Sequence, residues 1–424
     1  MPRKQIAAIT AASLAALTAC SSAGGTSSAG TSLVRVNAAR ATVGQADLSA
    51  ASAGVNAFGV DVFHSVADGD EGNVMISPTS LATVLTMLMP GAKGQTEAQM
   101  AKVLHTTMPA DQFADALGAL DSGTVQRELA DKADLQQYDT VWTQKGYDIQ
   151  PSYLQTLASA FDAGVRETDF TKPENARQTI NKTVQDQTNG LIKDLFGPGS
   201  MDVTTRLALT DALYLKAKWA DTFDKSITAN KPFHLADGST ANVPMMENQH
   251  DFAYAQGGGW QYAELPYQQG HLAMGIVLPA AGSFDSFRKT LTADNLASMT
   301  ASATTTQVDL ELPKFTFDTS RQLNAPLQSL GMKSLFDAKS ADLSGVPAKP
   351  EPLHVGIVVQ KTHVAVDEDG TTAAAASGLS VVAGAVPERL QPTEMHVDRP
   401  FLFLIRDTVT GQILFLGQVS DPRG

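Results

Sequence analysis

The sequence predicts an α+β fold, and three observations support this class. Segments with the apolar spacing of helices cluster early in the chain, whereas strand-like segments dominate its later part. This separation favours an α+β arrangement over a doubly wound fold, in which helices and strands alternate. The chain of 424 residues is 43% hydrophobic, which supports a large core, and it contains no tandem repeat.

Four segments carry the signals of helices. Apolar residues recur at helical spacing in residues 55–66, which predicts the first helix. Residues 80–89 are apolar almost all round, which predicts a deeply buried helix ended by the proline and glycine that follow. Further helices are predicted over residues 96–104 and 180–195, the second one closed by a Gly-Pro pair.

Strand signals are strongest where apolar and polar residues alternate. Residues 135–142 and 308–317 both alternate in this way, which predicts half-buried strands. Residues 206–215 are rich in leucine and alanine, and their length fits a buried strand better than a helix. Further strand-like runs lie within residues 252–278, 355–366 and 401–416.

The N-terminus has the pattern of a targeting segment. Arg3 and Lys4 precede a short apolar run over residues 6–17, too short to span a bilayer as a mature helix. The run ends in Leu-Thr-Ala-Cys, which resembles a bacterial lipobox and predicts a lipoprotein signal peptide over residues 1–19. Lipidation of Cys20 would anchor the mature protein on the extracellular side of the plasma membrane. An ordinary signal peptide with a chance cysteine is the alternative.

Composition divides the remainder into two parts. Residues 20–49 are rich in Ser, Gly, Ala and Thr, which predicts a flexible tether. Folding is expected to begin near residue 50, so that residues 50–424 form the folded part.

The formal charge of -13 argues against nucleic acid as a partner. Because Cys20 is the only cysteine, no disulfide forms within one chain.

No local motif supports catalysis. The sequence lacks the His-Glu-x-x-His, Gly-x-Ser-x-Gly and Gly-x-x-x-x-Gly-Lys patterns that mark metalloproteases, serine hydrolases and phosphate-binding loops. The eight histidines are scattered, and His354 and His363 are nine residues apart, which does not suit a pair of metal ligands. We therefore predict no enzyme activity, no cofactor and no metal.

The most distinctive segment lies near the C-terminus. Three acids at residues 367–369 are followed by residues 370–387, which carry no charge and include four consecutive alanines. Small neutral side chains can enter a sheet interior without leaving an unpaired charge. Strand-like segments flank this run on both sides. The pattern favours a loop that is exposed in one state and packed in another; a small-residue linker is the alternative.

Several segments in order and spacing together resemble the serpin family over roughly residues 50–424. They are residues 73–80 (NVMISPTS), 91–96 (GAKGQT), 188–192 (TNGLI), 209–219 (LTDALYLKAKW), 264–267 (ELPY), 312–315 (LPKF), 330–336 (LGMKSLF), 366–376 (VDEDGTTAAAA) and 398–403 (DRPFLF). The resemblance implies one α+β domain with about three sheets, about nine helices and an exposed reactive loop over about residues 368–397.

The resemblance also implies a function. Serpins are suicide substrates of serine proteases: the protease cleaves the reactive loop, remains bound as an acyl-enzyme, and is trapped when the loop inserts into the large sheet. The expected partners are therefore a target serine protease and, through the lipid anchor, a membrane, with the protein itself a monomer. A non-inhibitory surface protein that uses this fold for binding is the alternative.

Two parts of the loop are assigned from the resemblance. The hinge, which inserts first, consists of Glu368, Gly370, Thr371, Thr372, Ala373, Ala374, Ala375 and Ala376. Counting from Glu368 puts the reactive bond at Gly384-Ala385, which suits an elastase-like or subtilisin-like protease. Counting back from Arg399 points instead to Arg389-Leu390, which suits a trypsin-like protease with an acidic pocket.

The resemblance further implies two regions that control the large sheet. The shutter, where the sheet opens, consists of Ser77, Pro78, Ser80, Asp211 and Gln360, and the breach, where the loop first enters, contains Trp219. Serpins usually carry asparagine and histidine where this chain has Asp211 and Gln360. A carboxylate accepts hydrogen bonds and an amide can donate them. We therefore predict a hydrogen bond from Gln360 to Asp211; two independent substitutions are the alternative.

Overall fold

The computed structural model describes residues 31–131, 133–371 and 391–424. The α-helices in these ranges are α1 Gln45–Ala67, α2 Pro78–Leu88, α3 Gly94–Val103, α4 Ala110–Asp131, α5 Pro151–Phe161, α6 Pro173–Gln187, α7 Phe284–Thr290, α8 Ala293–Ser302 and α9 Asn324–Leu330. Two short 3-10 helices cover Met89–Gly91 and Ser334–Phe336. None of the described helices is long and apolar enough to cross a membrane.

Strands occupy much of the same ranges and confirm the α+β class. They are β1 Ser32–Val34, β2 Val74–Ile76, β3 Asp134–Gln137, β4 Thr140–Gln144, β5 Val165–Thr168, β6 Leu207–Lys218, β7 Ala229–His234, β8 Thr240–Gly257, β9 Trp260–Pro266, β10 Leu272–Pro279, β11 Thr304–Pro313, β12 Phe315–Gln322, β13 Ile357–Asp367, β14 Gly370–Thr371, β15 Thr393–His396, β16 Phe401–Asp407 and β17 Ile413–Val419.

The first sheet contains the candidate site. Its order is β1-β5-β4-β6-β14-β13-β12, with β3 also paired to β6. The central strands β6 and β13 pair in parallel, from Ala208 opposite Ile357 to Tyr214 opposite His363. Beyond these residues the short β14 lies between them and pairs with both. The sheet is therefore closed along most of β6 and already divided at one end.

The second sheet is continuous through one long strand. Its order is β15-β11-β8-β9-β10-β16-β17-β2, with β7 paired to β8. The 18-residue strand β8 pairs with β7 near its start, with β11 along its later half and with β9 at its end. The expected third sheet is thus joined to the second through β8.

Helix α2 connects the two sheets. It begins at Pro78, whose fixed φ suits the first helical turn, and the Ser77 side chain accepts a hydrogen bond from the Ser80 amide at 3.2 Å. Every residue of α2 is buried, as predicted, and it packs against β6 of the first sheet and β17 of the second. Burial on all sides fixes this helix directly behind the centre of the first sheet.

The structure corrects the predicted tether from residue 31 onward. Residues 32–34 form the edge strand β1, antiparallel to β5. Ser32 donates a hydrogen bond to Glu167 at 2.6 Å, and Val34 packs against the main core. Helix α1 then begins at Gln45, before the predicted start of folding at residue 50. Composition alone missed this segment because its attachment depends on backbone pairing with β5, which composition does not reveal. Residues 20–30 and the signal peptide lie outside the described residues.

Two predicted elements have different limits. The strand predicted over residues 308–317 is two strands, because the chain passes from the second sheet to the first between Pro313 and Phe315. The helix predicted over residues 180–195 is α6, which ends at Gln187 because Asn189 and Gly190 adopt positive φ angles of 50° and 80°. The strand predicted over residues 135–142 is β3 and β4, which keep one register along β6 but are interrupted at Asp139.

Substitution of Gly118 by alanine tests the close packing of α4 on α5. A Cβ atom at Gly118 would lie 1.8 Å from the Ala160 carbonyl oxygen, whereas one at Gly123 of the same helix would come no closer than 3.2 Å to any heavy atom. Alanine favours a helix over glycine by about 1 kcal/mol, so Gly123→Ala should leave stability unchanged or raise it. Gly118→Ala should lower the free energy of unfolding by about 1–3 kcal/mol, measured by urea unfolding. Equal stabilities of the two variants would contradict this packing.

Candidate functional site

The hinge begins inside the first sheet. Gly370 pairs with Lys218 and Thr371 with Ala217, both antiparallel to β6, while the same two residues pair back onto β13. Gly370 has a φ of 155°, and a Cβ atom there would lie 2.1 Å from the Ala217 carbonyl oxygen. Only glycine fits this approach. The two residues of β14 therefore form an added strand in the divided end of the sheet.

Two stacked aromatic rings hold this end in place. Trp219 and Tyr267 stack with their centroids 4.6 Å apart and an interplanar angle of 11°. The Trp219 indole donates to the Asp367 carbonyl at 2.9 Å, and the Tyr267 hydroxyl bonds the Thr371 hydroxyl at 2.6 Å. Burial raises the pKa of Tyr267, so its hydroxyl stays protonated. Trp219 thus lies where the hinge enters, the position that the resemblance implies.

Ion pairs attach the acidic residues at the start of the hinge. Glu368 is 4% exposed, accepts from Lys314 at 2.7 Å and from the Thr228 hydroxyl at 2.9 Å. Burial alone would raise the pKa of Glu368, but the hydrogen bonds, led by that from Lys314, lower it below its ordinary value. Asp369 accepts from Lys225 at 2.6 Å. The carboxylates are therefore paired rather than solvated, and they fix the start of the loop.

The remaining loop predictions fall on residues 372–390, which lie outside the described residues. They include hinge residues Thr372 to Ala376 and both candidate reactive bonds, Gly384-Ala385 and Arg389-Leu390. Cys20 lies outside them as well. The predicted exposed loop, residues 368–397, is too long at its C-terminal end, because Thr393–His396 forms β15 and pairs in parallel with β11 of the second sheet. The described ends of the loop therefore attach to different sheets.

The shutter residues meet behind the closed part of the sheet. Gln360 stands opposite Asp211 in the β6–β13 register and donates to its carboxylate at 2.6 Å, as predicted. Gln360 also donates to the Ser77 carbonyl and accepts from the Ser77 amide, each at 2.9 Å. Ser80 donates to the other oxygen of Asp211. One amide side chain thus links β13 to both β6 and the start of α2.

Asp139 is a further member of this cluster that sequence reasoning missed. The Ser80 hydroxyl lies 2.6 Å from its carboxylate, and Gln137 donates to it at 2.5 Å. Burial raises the pKa of Asp139 well above its ordinary value, and the charge of Asp211 raises it further. Burial likewise raises the pKa of Asp211 to about 7. The only sign of Asp139 in the sequence was that a single acid interrupts the alternating strand predicted over residues 135–142.

Roles for three other residues were also missed. Lys314, Tyr267 and Thr228 contact the hinge or the acids before it, and each lies far from it in sequence. Lys314 follows the proline at which the chain changes sheets and belongs to the LPKF segment of the resemblance, but neither feature indicates a contact with Glu368. Among the described residues, no cluster of three or more His, Cys, Asp and Glu could hold a metal ion.

Comparison with known proteins identifies the family. The family model for Serpin (serine protease inhibitor) matches residues 53–422. The chain is 35% identical over 377 residues to the leukocyte elastase inhibitor of Bos taurus, covering 86% of this chain and 97% of that protein. It is 34% identical over 376 residues to plasminogen activator inhibitor 1 of Neovison vison, covering 86% and 91%. The chain therefore belongs to the serpin family of serine protease inhibitors.

A solved structure agrees with this assignment. The fold resembles that of native protease nexin-1 with heparin, with a TM-score of 0.80 and 29% sequence identity. The match covers 89% of this chain and all of that one. The serpin fold predicted from the sequence is thus confirmed.

Gly370→Ala tests whether β14 depends on the close approach to β6. The added methyl group cannot fit beside the Ala217 carbonyl, so the hinge should leave the sheet and expose its partners in β6. We expect amide protection of residues 215–218 to fall about tenfold, the effect of ~1.4 kcal/mol, in hydrogen-exchange mass spectrometry. Gly258→Ala, where a Cβ atom meets nothing within 4 Å, is the matched control. Unchanged protection in Gly370→Ala would contradict the assignment.

Proposed function

We propose that this serpin inhibits a serine protease as a suicide substrate, by inserting its cleaved reactive loop into the first sheet. The position of β14 carries this proposal. Its two residues run antiparallel to both β6 and β13 at the point where these strands part. Continuing that strand along the gap would put Thr372 to Ala376 next, and their small uncharged side chains can be buried without an unpaired charge.

The covalent step defines what is trapped. The protease serine oxygen attacks the carbonyl carbon of the residue before the reactive bond. The peptide bond breaks, the new amine leaves with the proton from the serine, and an ester joins the protease to the loop. Insertion then carries the ester away from its starting position before water hydrolyses it. The native fold must therefore be metastable, with its lifetime set by the barrier to opening the sheet.

The reactive bond decides the target class. We propose Gly384-Ala385, because the length of the inserted loop determines where the protease finishes, and small residues there suit an elastase-like or subtilisin-like pocket. Arg389-Leu390 would instead direct the protein to a trypsin-like protease, whose acidic pocket binds arginine. Glycine before the cut offers little to a primary pocket, so the experiment below must include both classes.

We further propose that the protein acts as a monomer at the outer cell surface. The lipobox pattern at residues 17–20 supports a lipid anchor at Cys20. Because β1 attaches residues 32–34 to the domain, the flexible part of any tether is shorter than the sequence predicted. The inhibitor would therefore meet proteases close to the membrane.

The test is to mix residues 31–424 with elastase, subtilisin and trypsin in turn. We expect a complex that survives denaturing electrophoresis with elastase or subtilisin, and release of a fragment that begins at Ala385. A fragment that begins at Leu390 would assign the trypsin-like bond instead. Cleavage by every protease without any complex, and without a gain in heat stability, would overturn trapping and favour the non-inhibitory alternative.

A hinge variant tests the insertion step separately. Ala374→Pro removes a backbone donor from the strand that must insert, so cleavage should continue while the covalent complex falls about tenfold or more. Pro387→Ala, beyond the expected reactive bond, is the control and should leave the complex unchanged. Equal amounts of complex from the Ala374→Pro variant and the parent protein would mean that this segment does not insert.

A further inference from the structure

Ser80 lies between two carboxylates, that of Asp211 on β6 and that of Asp139 in the break between β3 and β4. Gln137 stands opposite Leu213 and Thr140 opposite Thr210, so the same register puts Asp139 opposite Asp211. Both carboxylates approach the Ser80 hydroxyl within hydrogen-bonding distance. Like charges directly opposite each other destabilise a strand pair, and here the pair is also removed from water on the Asp211 side, which is 0% exposed.

Two hydrogen bonds join Ser80 to the two acids, and they need two hydrogens. The serine hydroxyl supplies one, so the second must be a proton on one of the acids. A serine hydroxyl has a single hydrogen and can donate to only one of its two neighbours. If both acids were ionised, the other carboxylate would face the hydroxyl oxygen with no hydrogen between them. A proton on one acid restores the chain, because that acid donates to Ser80 and Ser80 donates to the other acid.

The surroundings supply little positive charge. Helix α2 carries no charged residue, and the Gln360 amide is fully used by Asp211 and Ser77. From β3 only Gln137 contributes, with one hydrogen bond to Asp139. On α4, Asp121 also lies near Asp139. Burial raises the pKa of Asp121 to about 7, and the positive charge of Arg40 lowers it, so Asp121 becomes negatively charged over the same pH range. Asp139 is partly exposed, which gives the buried pair a route for proton exchange with solvent.

We propose that Asp139, Ser80 and Asp211 share one proton that keeps the first sheet closed, and that loss of this proton promotes separation of β6 from β13. Asp139 is thus a positioning residue of the shutter that acts through Ser80 and Asp211. The consequence for protease trapping rests on the proposed function, whereas the effect on sheet opening does not.

The direction of the pH effect on sheet opening depends on whether the Asp211 carboxylate is better solvated in the closed or in the open form. Asp211 is opposite Gln360, so separating β6 from β13 breaks their hydrogen bond and admits water to the carboxylate. The closed form raises the pKa of Asp211 from 3.8 to about 7, and water returns it toward its ordinary value. The closed form therefore binds a proton that the open form releases. Its stability relative to the open form falls as pH rises from about 4 through 7.

The experiment measures native lifetime as a function of pH without any protease. Purified residues 31–424 would be incubated at pH 5.5 to 8.5, and conversion to a urea-resistant or unfolded form followed by urea-gradient electrophoresis. One proton changes the equilibrium by at most tenfold per pH unit, so we expect the lifetime to shorten at least about threefold between pH 6 and pH 8. A lifetime independent of pH in this range would overturn the proposal.

Asp139→Asn separates this pair from other titrating groups. The asparagine amide can donate to Ser80 as the protonated acid would, so this variant should have a long lifetime at pH 8 and lose most of the pH dependence. Asp309→Asn is the matched control, since burial also raises the pKa of that acid, but it lies on β11 of the second sheet. The Asp309→Asn lifetime should keep the parental pH dependence. Equal pH dependence in both variants would overturn the proposal.

A spectroscopic measurement covers the case in which Asp139→Asn does not fold. The infrared carbonyl band of protonated carboxylic acids should persist in the parent protein above pH 6 and disappear near pH 7 to 8. The absence of this band at pH 6 would overturn the proposal that the acids share a proton. Because neither lifetime nor spectrum involves a protease, failure to form a covalent complex would count against the proposed function alone.

Discussion

The hydrogen bond from Gln360 to Asp211 joins the two strands between which a loop would have to enter. It spans the parallel pairing of β6 and β13, and the same glutamine is bonded to both backbone polar groups of Ser77 at the start of α2. Helix α2 is buried throughout and packs against both sheets, so the glutamine ties β13 to a helix that also contacts β6 and β17. Opening the first sheet therefore means breaking a side-chain contact that is anchored to the start of a fully buried helix.

The hinge end of the sheet is held by a different kind of contact. There β14 already separates β6 from β13, and the chain is fixed by aromatic stacking and by paired acids before it. One end of the gap is thus occupied and the other closed. The distance between these two regions along β6 is short, from Ala217 to Asp211. The barrier to further insertion is concentrated in the few residues between them and in the shutter.

Sequence reasoning predicted those features that depend on local pattern or on matched motifs. The all-buried helix α2 followed from a run that is apolar almost all round. The Gln360–Asp211 hydrogen bond followed from complementary donor and acceptor groups at two departures from the family pattern. The contacts of Lys314, Thr228 and Tyr267 with the hinge could not be predicted, since each depends on how distant segments pack. Asp139 was missed because its role arises from the register between strands, and the attachment of residues 32–34 because backbone pairing, rather than composition, holds them.

The continuity of β8 has a mechanical consequence. A force applied to the loop at β15 is transmitted through β11 and β8 to every neighbour in the second sheet, because their backbone hydrogen bonds form one unbroken network. The first sheet has a parallel pairing at its centre and a strand already added at one end, so deformation concentrates there. The second sheet therefore resists deformation, whereas the first sheet can open between β6 and β13. Because the loop would enter along these two strands, their direction sets the direction in which anything attached to the loop would travel.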